Sequence, residues 1–157
     1  MQLLLLRHAD AVPSARTDDL RPLSDKGRQQ AKRVARFCKE RGLQPDLILT
    51  SPFLRTEETA QIVAQELKCE IVLSAFLASG MMPFAAIEEL RAYQRFDCVL
   101  LVGHEPDLSA LAGTLLGAGN LGAIRMRKAT LAGLAVDALT PGGAHLEFLV
   151  PAKIISE

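Results

Sequence analysis

Two histidines and two arginines stand out in this sequence for where they fall. Arg7-His8 closes the apolar run Leu3 to Leu6, and Ser51 to Arg55 follows the run Leu47 to Leu49. His104-Glu105 follows Cys98-Val99-Leu100-Leu101-Val102 and Gly103. Arginine presents a planar fork of donors that matches phosphate oxygens. A neutral imidazole, with an ordinary pKa of about 6.5, is a nucleophile near neutral pH. Histidine can therefore attack phosphorus and carry the phosphoryl group covalently. The second histidine and the arginines would stabilise the equatorial oxygens of an in-line transfer. That chemistry requires no metal and no cofactor, and the sequence has no carboxylate cluster at metal-ligand spacing.

These residues act together only if the chain brings three strand ends to one place. Leu3 to Leu6 is continuously apolar, as a strand covered on both faces must be. A polar loop, Pro13 to Pro22, leads to Ser24, which suits the N-cap of a helix running to about Arg41 with Gly42 as its C-terminal cap. In that helix Ala31, Val34, Ala35 and Cys38 recur at helical spacing, and the Arg28 to Arg41 charges read as its wet face. A strand at Leu47 to Leu49 ends in Thr50-Ser51-Pro52, and a helix follows through Leu67. Glu70 to Leu73 reads as a third strand, Pro83 to about Gln94 as a helix, and Cys98 to Val102 as the central strand. A further helix runs from near Pro106 to Leu116. Thr130 to Asp137 and His145 to Val150 form a strand pair around Pro141-Gly142-Gly143. Strand and helix alternate for most of the length, which predicts a three-layer α/β/α fold with a mostly parallel central sheet. In such sheets ligands bind at the C-terminal edge, where all three polar pieces fall.

The totals narrow the function classes. At 157 residues, one domain spanning 1–157 is expected, large enough to bury a core without disulfides or metals. The formal net charge is zero, which argues against a general nucleic-acid or anionic-membrane binder. Cys38, Cys69 and Cys98 are odd in number and lack metal-type spacing, so free thiols in a reducing compartment are expected. The apolar stretch before Arg7 is too short for the h-region of a signal peptide and no run approaches membrane length, so a cytoplasmic location is expected. Gly117-Ala118-Gly119-Asn120-Leu121-Gly122 matches the dinucleotide pattern G-x-G-x-x-G. It follows a helix rather than a strand, so it reads as a helix-terminating loop. His145, in the tail hairpin, has no partner motif and reads as exposed; Met81-Met82 reads as loop packing or a contact surface.

Four pieces in order carry a family resemblance. They are Arg7-His8-Ala9; Leu23-Ser24-Asp25-Lys26-Gly27-Arg28-Gln29-Gln30-Ala31; Ser51-Pro52-Phe53-Leu54-Arg55-Thr56-Glu57-Glu58-Thr59-Ala60; and Val102-Gly103-His104-Glu105-Pro106. The set resembles the histidine phosphatase superfamily, and its short length and Arg-His-Ala-Asp opening are similar to the small bacterial phosphohistidine phosphatase branch, the SixA type. The resemblance implies a phosphoglycerate mutase-like fold and a covalent phospho-His8 intermediate. It implies Arg7 and Arg55 as phosphate-binding residues and His104 as the second catalytic histidine. By the same resemblance Arg21, in Leu20-Arg21-Pro22-Leu23, is a further substrate-binding arginine. The implied partner is a phosphohistidine-bearing protein, a phosphocarrier or a histidine phosphotransfer domain.

One departure bears on the leaving group. Larger members place a proton-donating glutamate after the third strand, and here that stretch is Leu77-Ala78-Ser79-Gly80, without an acid. An alkoxide leaving group needs that proton, as the pKa of about 15.7 for bulk water indicates. An imidazole needs far less help, since its conjugate acid has a pKa of about 6.5. The missing acid therefore favours phosphohistidine hydrolysis on a protein. Glu105 is an alternative donor, with stabilisation of a helix first turn as its simpler role. A phosphatase or mutase for small phosphate esters, and a non-catalytic phospho-ligand module, are the rival readings. The chain has no long insertion after the second or third strand to build a lid, so an open site is expected. Sequence leaves the oligomeric state open.

Overall fold

The structure, a computed structural model, describes residues 1–156. Six strands form one sheet: β1 (Gln2–Arg7), β2 (Leu47–Thr50), β3 (Glu70–Leu73), β4 (Cys98–Gly103), β5 (Leu131–Val136) and β6 (Ala144–Val150). Their spatial order is β3-β2-β4-β1-β5-β6. β3, β2, β4 and β1 pair in parallel, while β5 pairs antiparallel with both β1 and β6. Four helices flank the sheet: α1 (Asp25–Glu40), α2 (Leu54–Leu67), α3 (Pro83–Leu90) and α4 (Asp107–Leu115).

The apolar runs follow from burial on both faces. Leu3, Leu5, Leu47, Leu49, Val99 and Leu101 pack toward Ala86, Ile87 and Leu90 of α3 and Leu108, Leu111 and Leu115 of α4. Their neighbours Leu4, Leu6, Ile48, Leu100 and Val102 pack the other way, toward α1 and α2. With side chains alternating along each strand, only residues apolar at every position satisfy both layers. This is the three-layer α/β/α arrangement with a mostly parallel sheet.

Local signals act where expected. The Ser24 hydroxyl accepts from Gly27 N–H at 3.0 Å and caps α1. Gly42 takes a positive φ of 67°, and Leu43 N–H donates back to the Cys38 carbonyl, closing the helix. Gly117 ends α4 in the same way, so the glycine-rich segment there terminates a helix. The helix expected to reach Gln94 stops at Leu90 and tightens into a 3-10 turn, Arg91–Tyr93. Met81 is buried against the core and Met82 is exposed. His145 is exposed and lies 3.1 Å from Asp137 Oδ2. The three cysteines are free thiols, with Cys38 and Cys98 buried and their pKa values pushed up by burial to about 12 and about 11. Among the described residues, no helix is long and apolar enough to cross a membrane.

Candidate active site

Backbone bonds at the C-terminal edge of the sheet set three polar strand ends side by side. His8 N–H donates to the Gly103 carbonyl at 3.0 Å, and Ser51 N–H donates to the Val102 carbonyl at 3.0 Å. Because β4 lies between β1 and β2, Arg7-His8, Ser51 and Gly103-His104 are neighbours in space. The first turn of α2 then brings Arg55 over the same spot.

The loop carrying His8 is laid across α1 and α2 and held from several sides. Ala9 N–H donates to Thr59 Oγ1 at 3.2 Å, and that hydroxyl donates to the Arg55 carbonyl at 2.7 Å. Asp10 N–H donates to Gln30 Oε1, while the Asp10 carboxylate receives Ser24 Oγ at 2.6 Å and Lys128 Nζ at 2.7 Å. Glu58 accepts from Leu23 N–H at 2.6 Å and from Arg28 at 3.0 Å, fastening the start of α1 to α2. A Cβ on Gly27 would lie 1.9 Å from the Asp10 carbonyl oxygen, so only glycine lets the loop cross here.

His8 Nδ1 lies 2.8 Å from the Ala9 carbonyl oxygen. A carbonyl only accepts, so Nδ1 carries the proton and the lone pair sits on Nε2. Arg55 Nε–H points to that lone pair at 3.3 Å. On the facing side, His104 Nε2 lies 2.8 Å from Ser51 Oγ, and His104 Nδ1 lies 3.5 Å from Arg55 Nη2. A guanidinium only donates, so Nδ1 of His104 is the unprotonated nitrogen and Nε2–H donates to Ser51. The two imidazole centroids are 5.5 Å apart, and Phe53 packs edge-on to His104 at 4.8 Å.

Burial, helped by the nearby Arg55 guanidinium, pushes the His8 pKa down to about 3 and that of His104 to about 4. Both rings are therefore neutral at physiological pH, the form in which Nε2 of His8 is nucleophilic. Burial likewise lowers the pKa of Arg7 and of Arg55, yet both remain cations far below their titration range. Arg7 donates through Nη1 to the Met126 carbonyl at 3.1 Å, and its buried Nε–H has no partner among the described residues.

Arg21 lies at the rim, donating through Nη1 to the Val12 carbonyl and through Nε to Asp18 at 2.9 Å. Glu105, whose charge acts on Arg7, is held by Ser109 and the Met126 backbone. Its carboxylate receives the Ser109 hydroxyl at 2.5 Å and Ser109 N–H at 3.0 Å. It also accepts from Met126 N–H at 3.4 Å, bracing the carbonyl that holds Arg7. In the acid-free stretch after β3, Gly80 and Met81 N–H both donate to Asp107 at the start of α4. Sequence reasoning did not single out Asp18, Ser51, Glu58 or Thr59 for roles in the site. Ser51, Glu58 and Thr59 stand in the same short segment as Arg55, and their polarity within a helix start was the available signal.

An α/β sheet whose C-terminal edge gathers two neutral imidazoles and the guanidinium groups of Arg7, Arg21 and Arg55 has the donors and the nucleophile that phosphoryl chemistry needs. Residues 3–78 match the histidine phosphatase superfamily, branch 1. The phosphohistidine phosphatase SixA of Escherichia coli is 29% identical over 121 residues, covering 73% of this chain and 74% of that protein. An uncharacterized protein of Picosynechococcus is 32% identical over 142 residues, covering 85% and 84%. In fold, the chain is similar to the protein histidine phosphatase SixA complexed with tungstate, with a TM-score of 0.91 at 22% identity over 99% of this chain and 100% of the other. The chain belongs to the histidine phosphatase superfamily and is a phosphatase by class.

Proposed function

We propose that the protein is a metal-independent phosphohistidine phosphatase acting on a phosphohistidine-bearing protein, such as a phosphocarrier or a histidine phosphotransfer domain, in the cytoplasm. The observation that carries this reading is the aimed lone pair of His8. Nδ1–H is committed to the Ala9 carbonyl, which puts the lone pair on Nε2, where Arg55 Nε–H meets it at 3.3 Å with the His104 ring 5.5 Å away. Nε2 attacks phosphorus, the N–P bond of the substrate breaks, and the electron pair leaves with the substrate imidazole. The positive charge that develops on His8 is shared with Nδ1–H and met by the Ala9 carbonyl. Arg7, Arg21 and Arg55 hold the phosphoryl oxygens, and the unpartnered Nε–H of Arg7 gains an acceptor. The phosphoryl dianion favours uptake of a proton from solvent by His104 Nδ1, which then donates to an equatorial oxygen and returns the proton to solvent when phosphate departs. Water next attacks phosphorus, the bond to His8 Nε2 breaks, and inorganic phosphate departs with neutral His8 restored.

Two further features support the leaving group and the partner. The stretch Leu77 to Gly80 offers no acid and Glu105 is tied to Ser109, so neither supplies the proton that an alkoxide needs. The Asp18 carboxylate is paired with Arg55 and Arg21, which favours its ionised form over a proton donor. Leu20, Met82 and Phe84, on segments around the C-terminal edge, expose apolar surface of the kind found at protein contacts. The test is to incubate the protein with a phosphohistidine peptide carrying radioactive phosphorus and quench during turnover. Acid-labile label on the wild type, absent in His8→Ala together with a loss of turnover of at least ~10³-fold, is expected. Full activity in His8→Ala would overturn the mechanism, and faster turnover of esters than of phosphohistidine would overturn the substrate class.

A further inference from the structure

A carboxylate stands where a phosphate-binding site has least use for one. Asp18 begins the 3-10 turn Asp18–Leu20 at the mouth of the pocket. Its Oδ2 lies 3.2 Å from Arg55 Nη2 and its Oδ1 lies 2.9 Å from Arg21 Nε, so it bridges two of the three arginines. The turn is also tied through its backbone, since the Asp18 carbonyl receives Arg55 Nη1 at 2.8 Å. The Asp18 side chain is 63% exposed, leaving its carboxylate open to whatever enters. A carboxylate in this position offsets part of the arginine charge and repels an incoming phosphoryl dianion. It becomes useful only if the substrate brings a positive charge to the same spot.

Phosphohistidine brings one. In-line displacement puts the leaving group opposite His8 Nε2, toward the mouth. One guanidinium links the nucleophile to the carboxylate, with Arg55 Nε against His8 and Nη2 against Asp18. When the distal nitrogen of the substrate ring holds a proton, N–P cleavage releases neutral imidazole. Without that proton it must release an imidazolate, a far poorer leaving group. We propose that Asp18 is a specificity-determining residue that accepts the distal N–H of the substrate imidazolium, keeping the proton in place as the N–P bond breaks. This rests on the phosphohistidine reading above and assigns the device by which the site prefers nitrogen over oxygen. The other charged groups around Asp18 are Arg21 beside it, Arg55 from α2, His104 across the pocket and its neighbour Asp19. The guanidinium groups only donate, and the accepting Nδ1 of buried His104 faces Arg55 Nη2. Asp19 acts on Arg55 through its charge without a hydrogen bond to either arginine among the described residues, which leaves Asp18 as the acceptor bound to both.

The experiment compares wild type with Asp18→Asn on a histidine peptide phosphorylated with phosphoramidate and on p-nitrophenyl phosphate. Asparagine keeps the shape and loses the charge. The kcat/KM for the peptide should fall about tenfold or more while that for the ester rises, so their ratio collapses. The alkaline limb of the peptide's kcat profile should move to lower pH, because the carboxylate no longer holds the substrate's proton. Asp18→Glu should recover part of the ratio. Equal changes on both substrates would overturn the inference, since they would mean that Asp18 merely occupies the phosphate position or braces the arginines. An unmoved alkaline limb would overturn it as well. If the wild type turns over the ester and leaves the phosphopeptide untouched, the proposed function itself fails, and this inference fails with it.

Discussion

At His8 the backbone decides which nitrogen reacts. The Ala9 carbonyl fixes the proton on Nδ1, and no neighbouring carboxylate is needed to do so. Arg55 has the more crowded role, because one planar fork reaches His8, His104 and both the carbonyl and carboxylate of Asp18. A lysine would keep the charge and lose that geometry, since its ammonium is a point donor on a flexible stem. Arg55→Lys should therefore lower kcat by about 10²–10³-fold, the scale seen when one aimed donor is lost from a transition state. Steady-state rates on p-nitrophenyl phosphate measure this directly. A loss below threefold would mean that positive charge alone, rather than the fork, does the work.

The elements serve mainly to hold a short loop still. Residues 8–10 cross the first turn of α1 with Gly27 beneath them, and the contact at Gly27 leaves no room for a methyl group. Gly27→Ala must push the loop or the helix aside, at a cost of about 1–3 kcal/mol, typical of overpacking. That corresponds to a melting temperature lower by roughly 2–10 °C in a chain of this size. Because the loop carries His8, turnover should fall in the same variant; unchanged melting and unchanged rate would show that the loop relaxes freely. The sequence made the two-sided strands legible, since runs such as Leu3 to Leu6 are apolar at every position. Caps at Ser24, Gly42 and Gly117 were legible for the same local reason. Strand order was not, because nothing in β4 itself says that it lies between β1 and β2, and that placement is what brings His8, Ser51 and His104 together. Asp18 was also hidden. Its exposed carboxylate in a polar loop looks like any solvated aspartate until Arg55, 37 residues later, is folded against it.

For the whole molecule, the two buried neutral histidines are a liability in acid. In the unfolded chain each imidazole takes up a proton near pH 6.5. In the folded protein, His8 resists protonation down to about pH 3 and His104 to about pH 4. Between those limits the unfolded chain binds more protons than the native one, so stability is complete above about pH 6.5 and falls as pH drops toward 4. Each histidine contributes a slope of at most about 1.4 kcal/mol per pH unit in this window. Asp10 and Asp18, whose pKa values lie below the ordinary carboxylate range, add their losses only at lower pH. Urea melts from pH 7.5 to 4.5 should show this decline, and His104→Gln should flatten it by removing one of the two linkages. A tetrahedral oxyanion changes the balance. Tungstate in the pocket would supply negative charge beside both rings and favour their protonated forms. It should stabilise the protein by about 2.7 kcal/mol at a hundred times its Kd, with tighter binding at pH 5.5 than at pH 7.5. In Arg55→Ala the tungstate shift should largely vanish. A flat melting profile across this range, or tungstate binding that weakens as pH falls, would show that the histidines are not held neutral by the fold.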